Sequence, residues 1–331
     1  MSLTPLSGCR KRSASPEEQA TITVYGFSIL REPLEKEIFP AFQEQWRKKT
    51  GQSLIFASSY AGSEIVTNQI LQGVNADIAI LAIERDAERL RAGGATKTDW
   101  RQYPHQGIVN RTPFVILVRK GNPKGIRDFS DLARPGVKII HPDPTSSGGG
   151  QWSIVTLYGA ELLRAGMVPE KRNPTAATAL LRGIWKNVIA TPGSAREART
   201  QFEAGFGDAL VTYEVEALQL LRRKAPVEVI YPARTMFSEH PVVIIDQDMT
   251  QGKRALVELF LAYLWSEEAQ RAWVKYHFRA ITDERLNAAE SKFRPIEHPF
   301  SIADLGGWRR AYPEIIEAVW KNQIKNENQD Q

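Results

Sequence analysis

Residues 21–27 (TITVYGF) alternate β-branched and small side chains, the signature of a strand. Leu34, Ile38, Phe42 and Trp46 then recur at a spacing of four and mark one face of an amphipathic helix. Pro40 falls inside that helix, where its missing N–H predicts a kink, and Thr50-Gly51 ends it. Residues 54–58 read as the next strand. Ser63 can cap a helix carrying Val66, Ile70 and Leu71. Residues 77–82 (DIAILA) are almost wholly apolar, as in a strand buried on both faces. A helix over 84–92 ends at Gly93-Gly94. This β-α-β-α-β alternation predicts a parallel α/β sheet.

A second run of the same kind starts at the strand 114–118. Strands are expected at 137–140, 188–190, 209–212 and 227–231, and helices at 152–165, 176–185 and from about 195. Residues 241–246 read as a strand returning to the first run, before a mostly helical C-terminal part with Leu256, Leu259, Phe260, Leu264, Trp273 and Tyr276. The expected fold is therefore α/β in two lobes, each a mostly parallel sheet flanked by helices, with a ligand in the interlobe cleft. Lobe 1 is expected to be discontinuous, 21–112 plus 241–331, and lobe 2 to be 113–240, with 1–20 as a tether.

A length of 331 residues fits two such lobes. Hydrophobic residues make up 42% and charged residues 24%, a composition that excludes a disordered chain. No apolar run reaches the ~18 residues that span a bilayer. Lys plus Arg is 43 and Asp plus Glu is 38, so the net charge is +5. That mild excess is spread along the chain and does not mark a nucleic-acid partner. The single cysteine, Cys9, excludes an internal disulfide and a thiolate metal site, and the five histidines have no metal-ligand spacing. No metal and no cofactor are expected.

Leu6-Ser7-Gly8-Cys9 resembles the lipobox of a bacterial lipoprotein, in which the cysteine receives the lipid, and residues 10–20 read as its polar tether. Residues 1–5 are too short for the apolar signal segment of such a leader. The other reading of Cys9 is a free thiol in a loose terminus.

Three segments share one design: a strand ends, a small-residue turn follows, and a helix starts. They are Ser58-Ser59-Tyr60-Ala61-Gly62-Ser63, Thr145-Ser146-Ser147-Gly148-Gly149-Gly150 and Thr191-Pro192-Gly193-Ser194-Ala195-Arg196. Each presents unpaired N–H groups at a helix N-terminus, which favours an anion. Any one alone is most simply a capped turn. The glycines lack the Gly-Lys-Ser/Thr of a phosphate loop and no Gly-x-Ser-x-Gly elbow occurs, so the pattern suits reversible capture without catalysis.

These segments resemble the ligand loops of the bacterial sulfate-binding proteins, the solute receptors of sulfate and thiosulfate ABC importers. The match includes Gly62-Ser63, Pro142-Asp143-Pro144-Thr145-Ser146-Ser147-Gly148-Gly149, Ala195-Arg196, residues 114–125 (FVILVRKGNPKG), 128–136 (DFSDLARPG) and Gly306-Gly307-Trp308. It covers about residues 24–308. The resemblance implies a two-lobed periplasmic-binding fold that closes on its ligand by hinge motion. It implies an inorganic oxyanion, most simply sulfate, held without counter-charge. The partner would be the membrane subunits of an ABC importer, and the protein a monomer in the periplasm or at the cell surface.

Carried over by motif, Ser63, Gly148, Gly149 and Ala195 offer backbone N–H groups and Ser147 its hydroxyl. Gly62, Glu64, Ser146 and Arg196 surround them.

Several positions depart from the family. Tyr213 stands where the family has tryptophan, Glu64 where it has glycine, and Gln151 where it has arginine before the residue matching Trp152. The family's N-terminal ligand segment is also replaced, by Val24-Tyr25-Gly26-Phe27-Ser28. Indole only donates, whereas a phenol donates or accepts. Fully ionised sulfate has no proton to give, so Tyr213 weakens a filter against protonated phosphate. Glu64 would repel a dianion if it faced the cleft. Arg196 either reaches the ligand or braces its loop against an acidic neighbour, with bracing preferred. Trp152 reads as core, and Glu214 and Glu216 as structural because they lie on different helix faces. Phosphate, phosphonate, thiosulfate or molybdate capture are the alternatives within this fold. A transferase has no cysteine or histidine in the three loops, and a ferric-ion site lacks its paired tyrosines.

Overall fold

The structure is a computed structural model that describes residues 20–325; Cys9 and the 1–20 tether, save Ala20, lie outside the described residues. Strand β1 (Ala20–Phe27) buries Ile22, Val24 and Phe27. A short 3-10 turn, helix α1 (Arg31–Pro33), a π-helical turn (Leu34–Ile38) and helix α2 (Phe39–Thr50) follow without a break. The wide turn directly precedes Pro40, which has no N–H for the carbonyl four residues earlier. The irregularity expected there is thus a widened turn inside one continuous helical stretch. Gly51 ends it in the left-handed region, φ 74°.

The first βαβ core continues with β2 (Leu54–Ala61), α3 (Ser63–Leu71), β3 (Ile78–Ile80) and α4 (Glu84–Ala92). β1 pairs in parallel with both β2 and β3. The second core holds β4 (Ile108–Arg119), β5 (Ile139–Ile140), α5 (Gly148–Leu162), α6 (Pro174–Trp185), β6 (Val188–Ala190), α7 (Ala195–Glu203), β7 (Ala209–Tyr213), α8 (Glu214–Arg222) and β8 (Val227–Ile230). Here β5 is parallel to β6 and β7. The chain ends with β9 (Arg234–Ile244), α9 (Gln251–Tyr263), α10 (Glu267–Lys275), α11 (Glu284–Ala288), β10 (His298–Phe300) and α12 (Trp308–Ala311), which runs on into a π-helical stretch (Tyr312–Lys325).

Two long antiparallel strands join the cores. β9 pairs with β3 at its end (Ile80↔Val242) and with β4 in its middle (Asn110↔His240, Pro113↔Phe237). β4 then pairs with β7 (Phe114↔Tyr213) and β8 in the other core. Backbone bonds between Arg111 and Arg279 add a third connection. Both crossing strands are longer than their apolar runs predict. The added residues include buried polar ones whose bonds lie across the pair: His240 Nδ1 sits 2.5 Å from Asn110 Oδ1, and Ser238 Oγ donates to the Thr112 carbonyl at 3.0 Å.

The C-terminal segment packs against α5 and α6, with Trp308 edge-on to Trp152 and Trp320 edge-on to Trp185. Among the described residues no helix is long and apolar enough to cross a membrane. No cluster of three metal-ligating side chains occurs among them.

Candidate functional site

The three small-residue turns meet at one place. A Cβ built on Gly62 would lie 2.3 Å from the Ser146 carbonyl oxygen and 2.9 Å from that of Gly193. Glycine is required here by close approach of three backbones. Ser146 Oγ donates to the Gly193 carbonyl at 2.9 Å and ties the second turn to the third. The first turn belongs to one core and the other two to the second, so the interlobe cleft is closed over this point.

Each turn delivers the start of a helix. Ser63 opens α3, with Gly62 as its cap. Ser147 caps α5, its Oγ accepting from the Gly150 N–H at 3.3 Å. Ser194 caps α7, its Oγ accepting from the Glu197 N–H at 3.2 Å. The glycines 148–150 are therefore the first turn of α5, which starts four residues earlier than the apolar pattern predicts. The cap offsets their low helix propensity. The first N–H groups of a helix have no intrahelical acceptor. Those of Ser63, Gly148, Gly149 and Ala195 are in this position, and all four residues are buried.

Contacts bring the starts of α3 and α5 together beside Tyr213. A Cβ on Gly148 would sit 3.1 Å from Ser63 Cβ and 2.7 Å from Ala82 Cβ. A Cβ on Gly149 would sit 2.9 Å from the Tyr213 hydroxyl. Tyr213 ends β7, fully buried, its ring packed on Phe114 at 4.7 Å and Phe27 at 6.2 Å. Among the described residues its hydroxyl has no hydrogen-bond partner. Burial first, then the charges of Glu216 and Asp86, push this phenol well above its ordinary value, so it stays protonated and able to donate.

Asp86 is the residue that the sequence reading missed. It is fully buried in the first turn of α4 and accepts from Ser63 Oγ at 2.5 Å; Ser63 Oγ in turn accepts from the Ala82 N–H at 3.1 Å. The Ser63 hydroxyl is thus engaged, which leaves the backbone N–H as the donor this residue can offer. Burial and then Glu64 push the Asp86 carboxyl up, against the Ser63 hydroxyl, Arg89 and Arg85. Among the described residues its Oδ1 accepts no hydrogen bond and lies 3.5 Å from Arg89 Nη1. The available signal was an acidic residue four before Leu90, in phase with the buried face of α4.

The charged neighbours are neutralised away from the N–H groups. Glu64 is buried between Arg85, 2.6 Å away, and Arg89, and accepts from Gln151 Nε2 at 2.9 Å. Its carboxylate is therefore committed to these partners. Arg196 makes a two-pronged pair with Glu32 at 2.6 and 2.8 Å and bonds Glu216 at 2.9 Å. Glu216 also pairs with Arg199, and Glu214 with Arg279. Trp152 is buried and donates its indole N–H to the Ala82 carbonyl at 2.5 Å. Glu32, Arg85 and Arg89 carried no sequence signal, because their partners are distant in the chain.

The result is a buried cluster of neutral donors, with Glu64, Arg196 and Glu216 committed to partners of opposite charge and Asp86 held by the Ser63 hydroxyl. Such a cage can hold a desolvated anion by dipoles. Comparison with known proteins agrees with this geometry. Residues 15–279 match the family model described as bacterial extracellular solute-binding protein. The chain belongs to the bacterial extracellular solute-binding proteins. It is 30% identical over 317 residues to a sulfate-binding protein of Synechococcus elongatus, covering 95% of this chain and 89% of the relative. It is 31% identical to a thiosulfate-binding protein of Pseudomonas aeruginosa, over 83% of this chain and 82% of the relative. The solved sulfate-binding protein of Mycobacterium tuberculosis superposes with a TM-score of 0.80 at 30% identity, covering 89% of this chain and 99% of that one. The solute-binding family and the two-lobed fold expected from the motifs are therefore those of this protein.

Proposed function

We propose that this protein is an extracytoplasmic receptor that captures a tetrahedral oxyanion, sulfate first, and delivers it to the membrane subunits of an ABC importer. The observation that carries the reading is the Tyr213 hydroxyl, fully buried and unpartnered beside the N–H groups that open α5. A buried polar atom without a partner is costly, and a bound oxyanion supplies the partner. The names of the relatives support sulfate and thiosulfate as the ligand class. Ser63, Ser147, Gly148, Gly149, Ala195 and Tyr213 would hold the anion, with Gly62, Glu64, Ser146 and Arg196 shaping the turns. Release requires the cleft to open about β4 and β9. In this proposal residues 298–325 travel with lobe 2, a division supported by their packing on α5 and α6. Titration calorimetry with sulfate, thiosulfate, phosphate, molybdate and tungstate tests the reading. Sulfate or thiosulfate should bind most tightly; no binding of any oxyanion would overturn it.

A second reading, capture of a protonated phosphate or phosphonate, is favoured by one feature. The unpartnered Tyr213 oxygen can accept as well as donate, and a fully ionised sulfate has no proton to give it. Under this reading affinity falls as pH rises above the last pKa of the ligand. For sulfate it stays flat across that range.

A further inference from the structure

Away from the three turns, a cavity of about 730 Å³ lies between two parts of the chain. One wall is α8 and β8; the other comes from residues 277–294. That volume is in the range of small-molecule sites. Leu218, Val229 and the face of Tyr231 give it an apolar lining, and three cations, Arg222, Lys292 and Arg294, line it as well. Among the described residues neither Arg222 nor Arg294 pairs with a carboxylate; Arg294 lies over the Tyr231 ring at 5.4 Å. Lys292 bonds the Val274 carbonyl at 2.8 Å and lies 3.1 Å from Glu290. The one carboxylate in the lining, Glu228, accepts from the Gly121 N–H at 2.6 Å.

His277 is the second, independent mark. It lines the same cavity and is only 6% exposed, yet neither ring nitrogen has a hydrogen-bond partner among the described residues. Native proteins rarely leave a buried ring so unsatisfied without a ligand or water. Its backbone is left-handed, φ 74°, at the end of α10, where glycine or asparagine caps at less cost. Burial first, then the charges of Lys292 and Arg222, lower the imidazole to about 4, so it is neutral and offers one donor and one acceptor.

From this geometry we infer that the cavity is a second ligand site, for a small organic anion with an apolar body, such as an aryl or alkyl sulfonate or carboxylate. Arg222 and Arg294 meet the anionic head and the α8–β8 wall meets the body, while the His277 ring gives a further hydrogen bond. The inference does not depend on the identity of the oxyanion, because the cavity shares no residue with the three turns.

The test uses the full chain, titrated with p-toluenesulfonate in the presence of saturating sulfate and, separately, in a Gly149→Trp variant whose cleft is filled. Saturable binding is expected in both, with the neutral p-toluenesulfonamide binding at least about tenfold more weakly. Arg222→Gln with Arg294→Gln should weaken the sulfonate about tenfold or more, and His277→Asn, which keeps the left-handed backbone, should weaken it too. No saturable binding, equal binding of the sulfonamide, an unchanged double variant, or loss of binding in Gly149→Trp would each overturn the inference.

Discussion

Tyr213→Phe removes one oxygen and leaves the ring, with its contacts to Phe114 and Phe27, in place. If the hydroxyl exists to bind an oxyanion, two consequences separate. The bound state loses a hydrogen bond to a charged group, about 1.5–3 kcal/mol, which raises the dissociation constant about 10- to 150-fold. The unliganded protein loses nothing, because the hydroxyl has no partner among the described residues to give up. Its thermal midpoint should stay level or rise, since a buried unsatisfied group costs about 1–3 kcal/mol in the closed form. Calorimetric titration with sulfate and a melting curve without it read the two effects independently. An unchanged affinity together with a lowered midpoint would refute the argument, and would make Tyr213 a packing residue with an undetected polar partner.

Other substitutions probe the remaining parts of the cage. Gly149→Ala places a methyl group 2.9 Å from the Tyr213 hydroxyl, so sulfate affinity should fall about tenfold or more while circular dichroism of the free protein is unchanged. Ser147→Ala removes both a hydroxyl donor and the α5 cap; calorimetry should show about 1–3 kcal/mol less binding and a denaturant titration about 0.5–2 kcal/mol less stability. Burial pushes the Glu32 carboxyl up, but the bonds and charge of Arg196 outweigh it and hold the group below its ordinary value. A lowered carboxylate contributes fully above its ordinary value and loses that contribution as pH falls through the lowered one. Small-angle scattering of the sulfate complex should therefore show the cleft loosening in acid, and Glu32→Gln should make closure weaker at neutral pH and less dependent on acid.

Local pattern revealed much of this molecule. The apolar run 77–82 is buried throughout, with the strand itself confined to residues 78–80, and the three strand-turn-helix segments became three helix starts at one point. These features are encoded within a few residues of one another, so they can be read locally. The crossing strands were harder, because Asn110, Thr112, Ser238 and His240 are polar residues in a buried ladder, and the bonds His240 to Asn110 and Ser238 to Thr112 form only across the pair. The start of α5 was missed because glycine is a poor helix former, and only the Ser147 cap and the burial of the whole turn compensate. Asp86, Glu32 and the arginines that hold Glu64 depend on partners more than 20 residues away in the chain or across the cleft. No spacing rule within one helix or turn reports such pairs.

The most direct test of the account is a crystal structure of the protein grown with sulfate. It should show one tetrahedral anion about 2.7–3.1 Å from the N–H groups of Ser63, Gly148, Gly149 and Ala195 and from the hydroxyls of Ser147 and Tyr213, with no lysine or arginine in contact. An anion held by Arg196, or an empty enclosure with sulfate bound elsewhere, would contradict it.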